Sequence, residues 1–218
     1  MEKTSVPAPR TFKDGEVVCK FRGGFNNWRS HPQGVVFQRG NRLLLNGKEL
    51  LYEGEYRGWR SHPQGVVIER GNRFLLNGKE LLYEGKWDFW HSHPRGVVIS
   101  RGDRFLLNGK ELLYEGECDD WRAHPEGIVI MKECRFLLNG TKLLYEGNRS
   151  DWRVHLEGVV ILTEGRFLLN GTKLLYEGMY DSWDSHSTGI IVHQATKGAI
   201  WRFHCATPPV SRFDEAFV

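Results

Sequence analysis

One tryptophan recurs without a slip of register through most of the chain: Trp28, Trp59, Trp90, Trp121, Trp152 and Trp183 each stand 31 residues after the one before. A fixed period of this length means that one supersecondary unit is copied. A unit too small to cover its own apolar faces must then stack on its neighbours. The copy that begins at Trp59 reads WRSHPQGVVIERGNRFLLNGKELLYEG before a short connection to the next, and its relatives differ at scattered positions. Within it, GVVIER, NRFLL and KELLYEG are short apolar runs divided by glycine-containing turns, and no stretch has the length and periodicity of a helix. The unit is therefore all-β. The Asn-Gly pairs that begin at Asn46, Asn77, Asn108, Asn139 and Asn170 suit a type I′ turn, whose two central residues both need positive φ, so RFLL and ELLY are expected to form a hairpin.

Three consecutive apolar residues per strand, such as Val66, Val67 and Ile68, place hydrophobes on both faces of each small sheet. Such a sheet must be covered on both sides. Blades stacked around an axis achieve this, with the WRSH segment, GVVI, RFLL and ELLY supplying up to four strands each. The alternative is an open β-solenoid, which needs atypical capping units where a ring needs a seam. The chain has the seam: the copy after Trp183 supplies GIIVHQ and AIWRFHC but no ELLYEG strand, while Val17 to Trp28 (VVCKFRGGFNNW) continues an ELLYEG-like pattern. An N-terminal strand completing the last blade would also remove sheet edges. In these features the chain resembles short-repeat six-bladed β-propellers in general. The pieces YEGEY and YEGKW resemble the membrane-occupation-and-recognition nexus repeat, but that repeat is shorter and lacks WxxHP and LLNGK, so no family function carries over. The expectation is one domain spanning 1–218, with irregular tails at 1–13 and 206–218.

The opening residues lack a signal-peptide apolar run, and no uninterrupted apolar stretch is long enough to span a membrane, so the reading is a cytoplasmic monomer with no membrane contact. Four cysteines at irregular spacing form neither a disulfide framework nor a CxxC pair. A net charge of +3 from 30 basic and 27 acidic residues lacks the basic surplus of a nucleic-acid binder.

The repeat generates candidate sites by symmetry. His31, His62, His93, His124, His155 and His186 follow each Trp by three residues. A metal ring is the sharp reading, but zinc needs about four donors at roughly 2.0 to 2.3 Å from one point, and symmetry spreads them too widely. The expectation is therefore no metal and no cofactor, with each imidazole bonding to a neighbouring backbone group. The six tryptophans either pack between blades or stack on sugars in repeated inter-blade pockets, where Trp59, Arg60 and His62 of a unit would meet the ligand. Arg42, Arg73, Arg104, Arg135, Arg166 and Lys197 fall fourteen residues after each Trp. A two-residue turn places Arg73 opposite Leu82 with Glu84 diagonal to it, so these charges are expected to pair, while Arg22 would face Lys197 at the seam. The turn arginines Arg39, Arg70 and Arg101 make the first three copies the more basic, and would steer an acidic partner there. The Arg101-Gly102-Asp103 tripeptide and the N-x-S/T patterns at Asn139, Asn148 and Asn170 carry little weight in the absence of a secretion signal. Among residues that break the repeat, only His91, His193, His204, Cys19 and Cys205 offer catalytic chemistry, and no acid motif or phosphate loop flanks them. The chain is expected to be a non-enzymatic binding platform for a protein partner, with a multivalent lectin-like carbohydrate binder as the alternative.

Overall fold

The computed structural model describes residues 10–21, 23–195 and 199–205. Its regular structure consists of strands arranged as six four-stranded antiparallel sheets around a ring: a six-bladed β-propeller. Among the described residues no helix is long and apolar enough to cross a membrane.

The chain enters through β1 (Val17–Phe21) and then builds blade one from β2 (Asn27–His31), β3 (Gly34–Arg39), β4 (Arg42–Leu45) and β5 (Glu49–Glu53). Blades two to five repeat this plan as β6–β9 over 58–84, β10–β13 over 90–115, β14–β17 over 120–146 and β18–β21 over 151–177. Blade six has only three consecutive strands, β22 (Ser182–His186), β23 (Gly189–Gln194) and β24 (Ala199–His204), and β1 completes it in the order β1-β24-β23-β22. The first strand of each blade lies against the first strands of the two adjacent blades, so the WRSH segments form the innermost layer.

Turn chemistry explains the hairpins. Asn77 (φ 51°) and Gly78 (φ 72°) both have positive φ, as a type I′ turn requires, and Lys79 N donates to Leu76 O at 3.0 Å. The asparagine has a second task. Its Oδ1 accepts the Val66 amide at 2.9 Å and its Nδ2 donates to Gln64 O at 2.9 Å, tying this turn to the neighbouring one. Aspartate could not donate that second bond. Gly65 makes room for it, since a Cβ there would sit 2.1 Å from Asn77 Oδ1.

The core is divided rather than single. Each hydrophobic cluster joins one blade to the next, as when Val36, Leu43 and Leu45 pack on Trp59, Val66 and Ile68. The second strand of every blade is buried on both faces, so neither face is free for water. Tyr52 of blade one crosses the junction and lies over the turn of blade two, so close that a Cβ on Gly78 would be 2.3 Å from the ring. At the seam Phe21 of β1 covers Gly47 in the same way, with 2.5 Å to a Cβ placed there. The N-terminal strand therefore does the work of an outer blade strand. Phe12 is buried there beside Trp201 and Phe203, so the segment expected to be an irregular tail contributes to the core even though residues 10–13 have no regular structure.

The register of the outer hairpin differs from expectation. A bulge between Phe74 and Leu75, together with Lys79 at the turn, shifts the pairing so that Arg73 faces Glu84 directly instead of Leu82. The ion pair still forms, at 3.1 Å. A two-residue turn count misses the bulge because nothing in ELLYE marks it. The supposed contact of Arg22 with Lys197, and the tail at 206–218, lie outside the described residues.

Two outcomes are expected. Deleting residues 1–24 removes Phe12, Val18, Cys19 and Phe21 from the seam cluster. With about 3–5 kcal/mol attached to a single large core aromatic, urea denaturation should show a loss of at least that size. An equally stable, cooperative truncation would refute the seam. In blade four the turn between β15 (Gly127–Lys132) and β16 (Arg135–Leu138) places Glu133 (φ 51°) and Cys134 (φ 61°) in left-handed backbone, which costs a side-chain-bearing residue about 1–2 kcal/mol. Cys134→Gly should therefore raise stability by roughly 1 kcal/mol in the same assay.

Candidate functional site

The innermost strands carry the sequence Trp-x-x-His, and the burial of the flanking residues decides what remains for a ligand. The six tryptophans are only 2–8% exposed. Their indoles reach towards the preceding blade, where Trp59 Nε1 donates to Gln38 Oε1 at 3.1 Å, Trp90 Nε1 to Glu69 Oε2 at 3.0 Å, and Trp152 Nε1 to Asp120 Oδ2 at 3.0 Å. Trp28 closes the circle by donating to Ser182 Oγ at 3.0 Å. The rings are junction packing, and their faces are covered by neighbouring blades.

The six histidines at 31, 62, 93, 124, 155 and 186 are as deeply placed, at 1–4% exposure. In each, Nδ1 accepts the amide two residues on, as Gln64 N does to His62 at 3.1 Å, which leaves the proton on Nε2. Burial lowers the pKa of His31, His62, His93 and His186 to about 4, so these rings are neutral at pH 7. Among the described residues no three His, Cys, Asp or Glu side chains gather as a metal site would need. Arg39, Arg70 and Arg101 stand exposed at the ends of the second strands, on the rim opposite the Asn-Gly turns.

The position between Trp and His reaches the axis. Arg29, Arg60, His91, Arg122, Arg153 and Asp184 occupy it in turn, and all six line an axial cavity of about 260 Å³. Three of these side chains lie over the tryptophan of the following blade: the Arg60 guanidinium is 5.6 Å from the Trp90 ring centre, Arg122 is 4.8 Å from Trp152, and Arg153 is 5.0 Å from Trp183. The His91 ring packs edge-on against Trp121 at 4.8 Å. The Trp90 and Trp152 indoles are themselves hydrogen-bonded, so stacking on them fixes the Arg60 and Arg122 guanidinium planes. Four guanidiniums thus share the cavity with the single carboxylate of Asp184. Burial first, then the charges of Arg29, Arg122 and Arg153, bring Arg60 down to about 10, and burial holds His91 well below its ordinary value, hence neutral. Sequence reasoning reached Arg60 only as a flank of an inter-blade pocket. The available signal was a charged residue inside a strand whose neighbours are buried.

A second cavity of about 470 Å³ lies at the junction of blades three and four, where Asp88, Asp119 and Asp120 approach Phe89 and Cys118. Three of its four carboxylates are engaged: Asp88 accepts the Gly102 amide at 2.7 Å, Asp119 the Glu133 amide at 2.9 Å, and Asp120 both Trp121 N and Trp152 Nε1. The residues that break the repeat near the seam are likewise structural in their contacts. His193 stacks on Trp201 at 4.6 Å, and His204 lies 3.3 Å from Asp14. Burial raises the Cys19 thiol, and burial with Asp14 raises Cys205, the reverse of nucleophile activation.

Compared with protein-family models and with curated proteins, the chain matches none.

A pH dependence follows from the buried imidazoles. Their pKa is lower in the fold than the ordinary 6.5, so the unfolded chain takes up protons first. The stabilisation is complete above about pH 6.5 and drains as the pH falls towards 4, by up to about 1.4 kcal/mol per pH unit for each such histidine. Urea midpoints measured at pH 7, 6 and 5 should fall steadily, and His62→Gln should flatten the slope. A level profile would contradict the neutral burial.

Proposed function

We propose that this propeller is a non-enzymatic binding platform whose main engagement is with a protein partner in the cytoplasm. The observation that carries the reading is an apolar feature repeated around the outside. Leu50, Leu81, Leu112, Leu143 and Leu174 occupy one position of the outermost strand in five successive blades, each 46–52% exposed. One exposed leucine needs no explanation. Five at one station place apolar contacts at regular intervals along outer strands whose free edges can pair with another chain. At two blade connections, Phe89 (69% exposed) and Met179 (85% exposed) add larger apolar groups that differ between copies, which suits recognition of one partner rather than of a repeated small ligand.

Charge gives this surface a direction. The pairs Arg42–Glu53, Arg73–Glu84, Arg104–Glu115 and Arg135–Glu146 neutralise the outer hairpins at 3.1–3.8 Å, whereas Arg39, Arg70 and Arg101 are exposed on one rim. An acidic partner would be steered to blades one to three. The lectin-like alternative loses its main support, because the tryptophan faces that would stack on sugars are covered.

Capture from native lysate tests the reading, with the intact ring compared with a Leu81→Glu, Leu112→Glu, Leu143→Glu variant that keeps its strand circular dichroism. A single partner recovered near one-to-one with the intact ring, and reduced about tenfold or more with the variant, is expected. Equal recovery by both proteins, or glycoconjugates released by free sugar, would replace it.

A further inference from the structure

The axial cavity carries an unbalanced charge that the fold does not need. Of its four guanidiniums, Arg153 is compensated, with Nη1 2.7 Å from Asp151 and Nε 3.8 Å from Asp184. Asp184 is occupied in turn, its two oxygens accepting the amides of Ser30 at 2.9 Å and Ser185 at 3.0 Å. Among the described residues Arg29, Arg60 and Arg122 have no carboxylate within salt-bridge distance. The Nε atoms of Arg29, Arg122 and Arg153 are buried without a hydrogen-bond partner. Three like charges in a partly desolvated space repel, and a buried donor left unmade costs about 1–3 kcal/mol. The downward shift of Arg60 to about 10 has this origin, burial leading and the neighbouring arginines adding to it.

An apolar core would avoid these costs, and leucine at the same station would pack on the tryptophans as well. The cavity is built instead to hold its donors still. The Arg60 and Arg122 guanidiniums, stacked on indoles, lose little further freedom when they bind, and forked N–H groups match oxyanions two bonds at a time. The space of about 260 Å³ lies just below the 300 Å³ or so at which ordinary small-molecule sites begin, and a compact guest fits it. The anion must carry several oxygens, because donors approach the axis from more than one blade, and more than one charge, because three guanidiniums are free. A carboxylate offers only two oxygens and one charge.

We propose that the central channel is a binding site for a compact tetrahedral oxyanion, inorganic phosphate or the phosphate group of a small phosphate ester, held by the guanidiniums of Arg29, Arg60 and Arg122. This site lies on the axis, apart from the outer strands that would engage a protein, and stands or falls independently of that reading. Neutral His91 adds an uncharged polar group at the station of blade three. The carboxylate of Asp184 keeps the anion to the side of the first, second and fourth blades.

Calorimetric titration of the purified chain with inorganic phosphate, and thermal melts in phosphate against chloride at equal ionic strength, test the assignment. Saturable binding of one phosphate per chain is expected, with a rise in Tm that chloride does not reproduce. Arg60→Gln and Arg122→Gln should each weaken binding by about tenfold or more, the scale of one charge-assisted contact, and the double variant should abolish it. Asp184→Asn should tighten it. In phosphate-free buffer Arg60→Gln should melt no lower than the parent, because repulsion is relieved; an arginine there only for packing would lower the melt and leave the phosphate response intact. Tighter binding of glycerol phosphate than of inorganic phosphate would assign a phosphate ester, and the reverse order the free ion. Absence of saturable binding, equal stabilisation by chloride, or a full response in the double variant would overturn the proposal.

Discussion

The structure depends on one constraint: every sheet is apolar on both faces and too small to fold alone. The buried second strands, such as GVVIER of β7 (Gly65–Arg70), leave nothing for water on either side. Each hydrophobic cluster therefore belongs to a junction, and each blade is stable only while its two neighbours are in place. A stack of such units has two raw ends, and closing the ring removes both. That is why β1 crosses the length of the sequence to join β24, with Cys19 registered against Trp201 and Lys20 against Ile200.

The junction also explains the repeated aromatic and imidazole groups. A tryptophan that fills the space between blades still has an N–H to satisfy, and it finds a different acceptor at different junctions, Gln38, Glu69 or Asp120. Histidine fills a tight corner where its Nδ1 can accept the amide two residues on. These residues recur because the junction recurs, and their rings are shut inside it. What is left for a ligand is the station between them, where the repeat stops being uniform: four arginines, one histidine and one aspartate.

That non-uniformity separates packing from function more clearly than recurrence does. Were Arg29, Arg60, Arg122 and Arg153 only covers for the next tryptophan, any long side chain would serve. Instead the station holds three guanidiniums without a carboxylate partner, and two of them, Arg60 and Arg122, lie over indoles fixed by their own hydrogen bonds. The outer surface shows a different division, with arginine and glutamate cancelling along the hairpins and leucine left exposed beside them. One ring thus carries two surfaces of different chemistry, an axis with unpaired positive charge and outer hairpins where paired charges flank exposed leucines.

The sequence by itself determined the unit, the number of units, the β class, the Asn-Gly turns and the closure by residues near Val17. All of these follow from local turn chemistry or from a period that survives in the order of residues. It also held the Arg73–Glu84 pairing, though not the bulge that makes the two residues direct neighbours, because a bulge is a response to sheet twist and to the next blade's packing. The tertiary structure alone decided which recurring side chains face inward. Trp59, Arg60 and His62 are adjacent in the chain, yet two are shut into junctions and the third reaches the axis. Which way a residue points is fixed by how six strands close around a centre. A one-dimensional pattern records spacing along the chain and not distance from that axis.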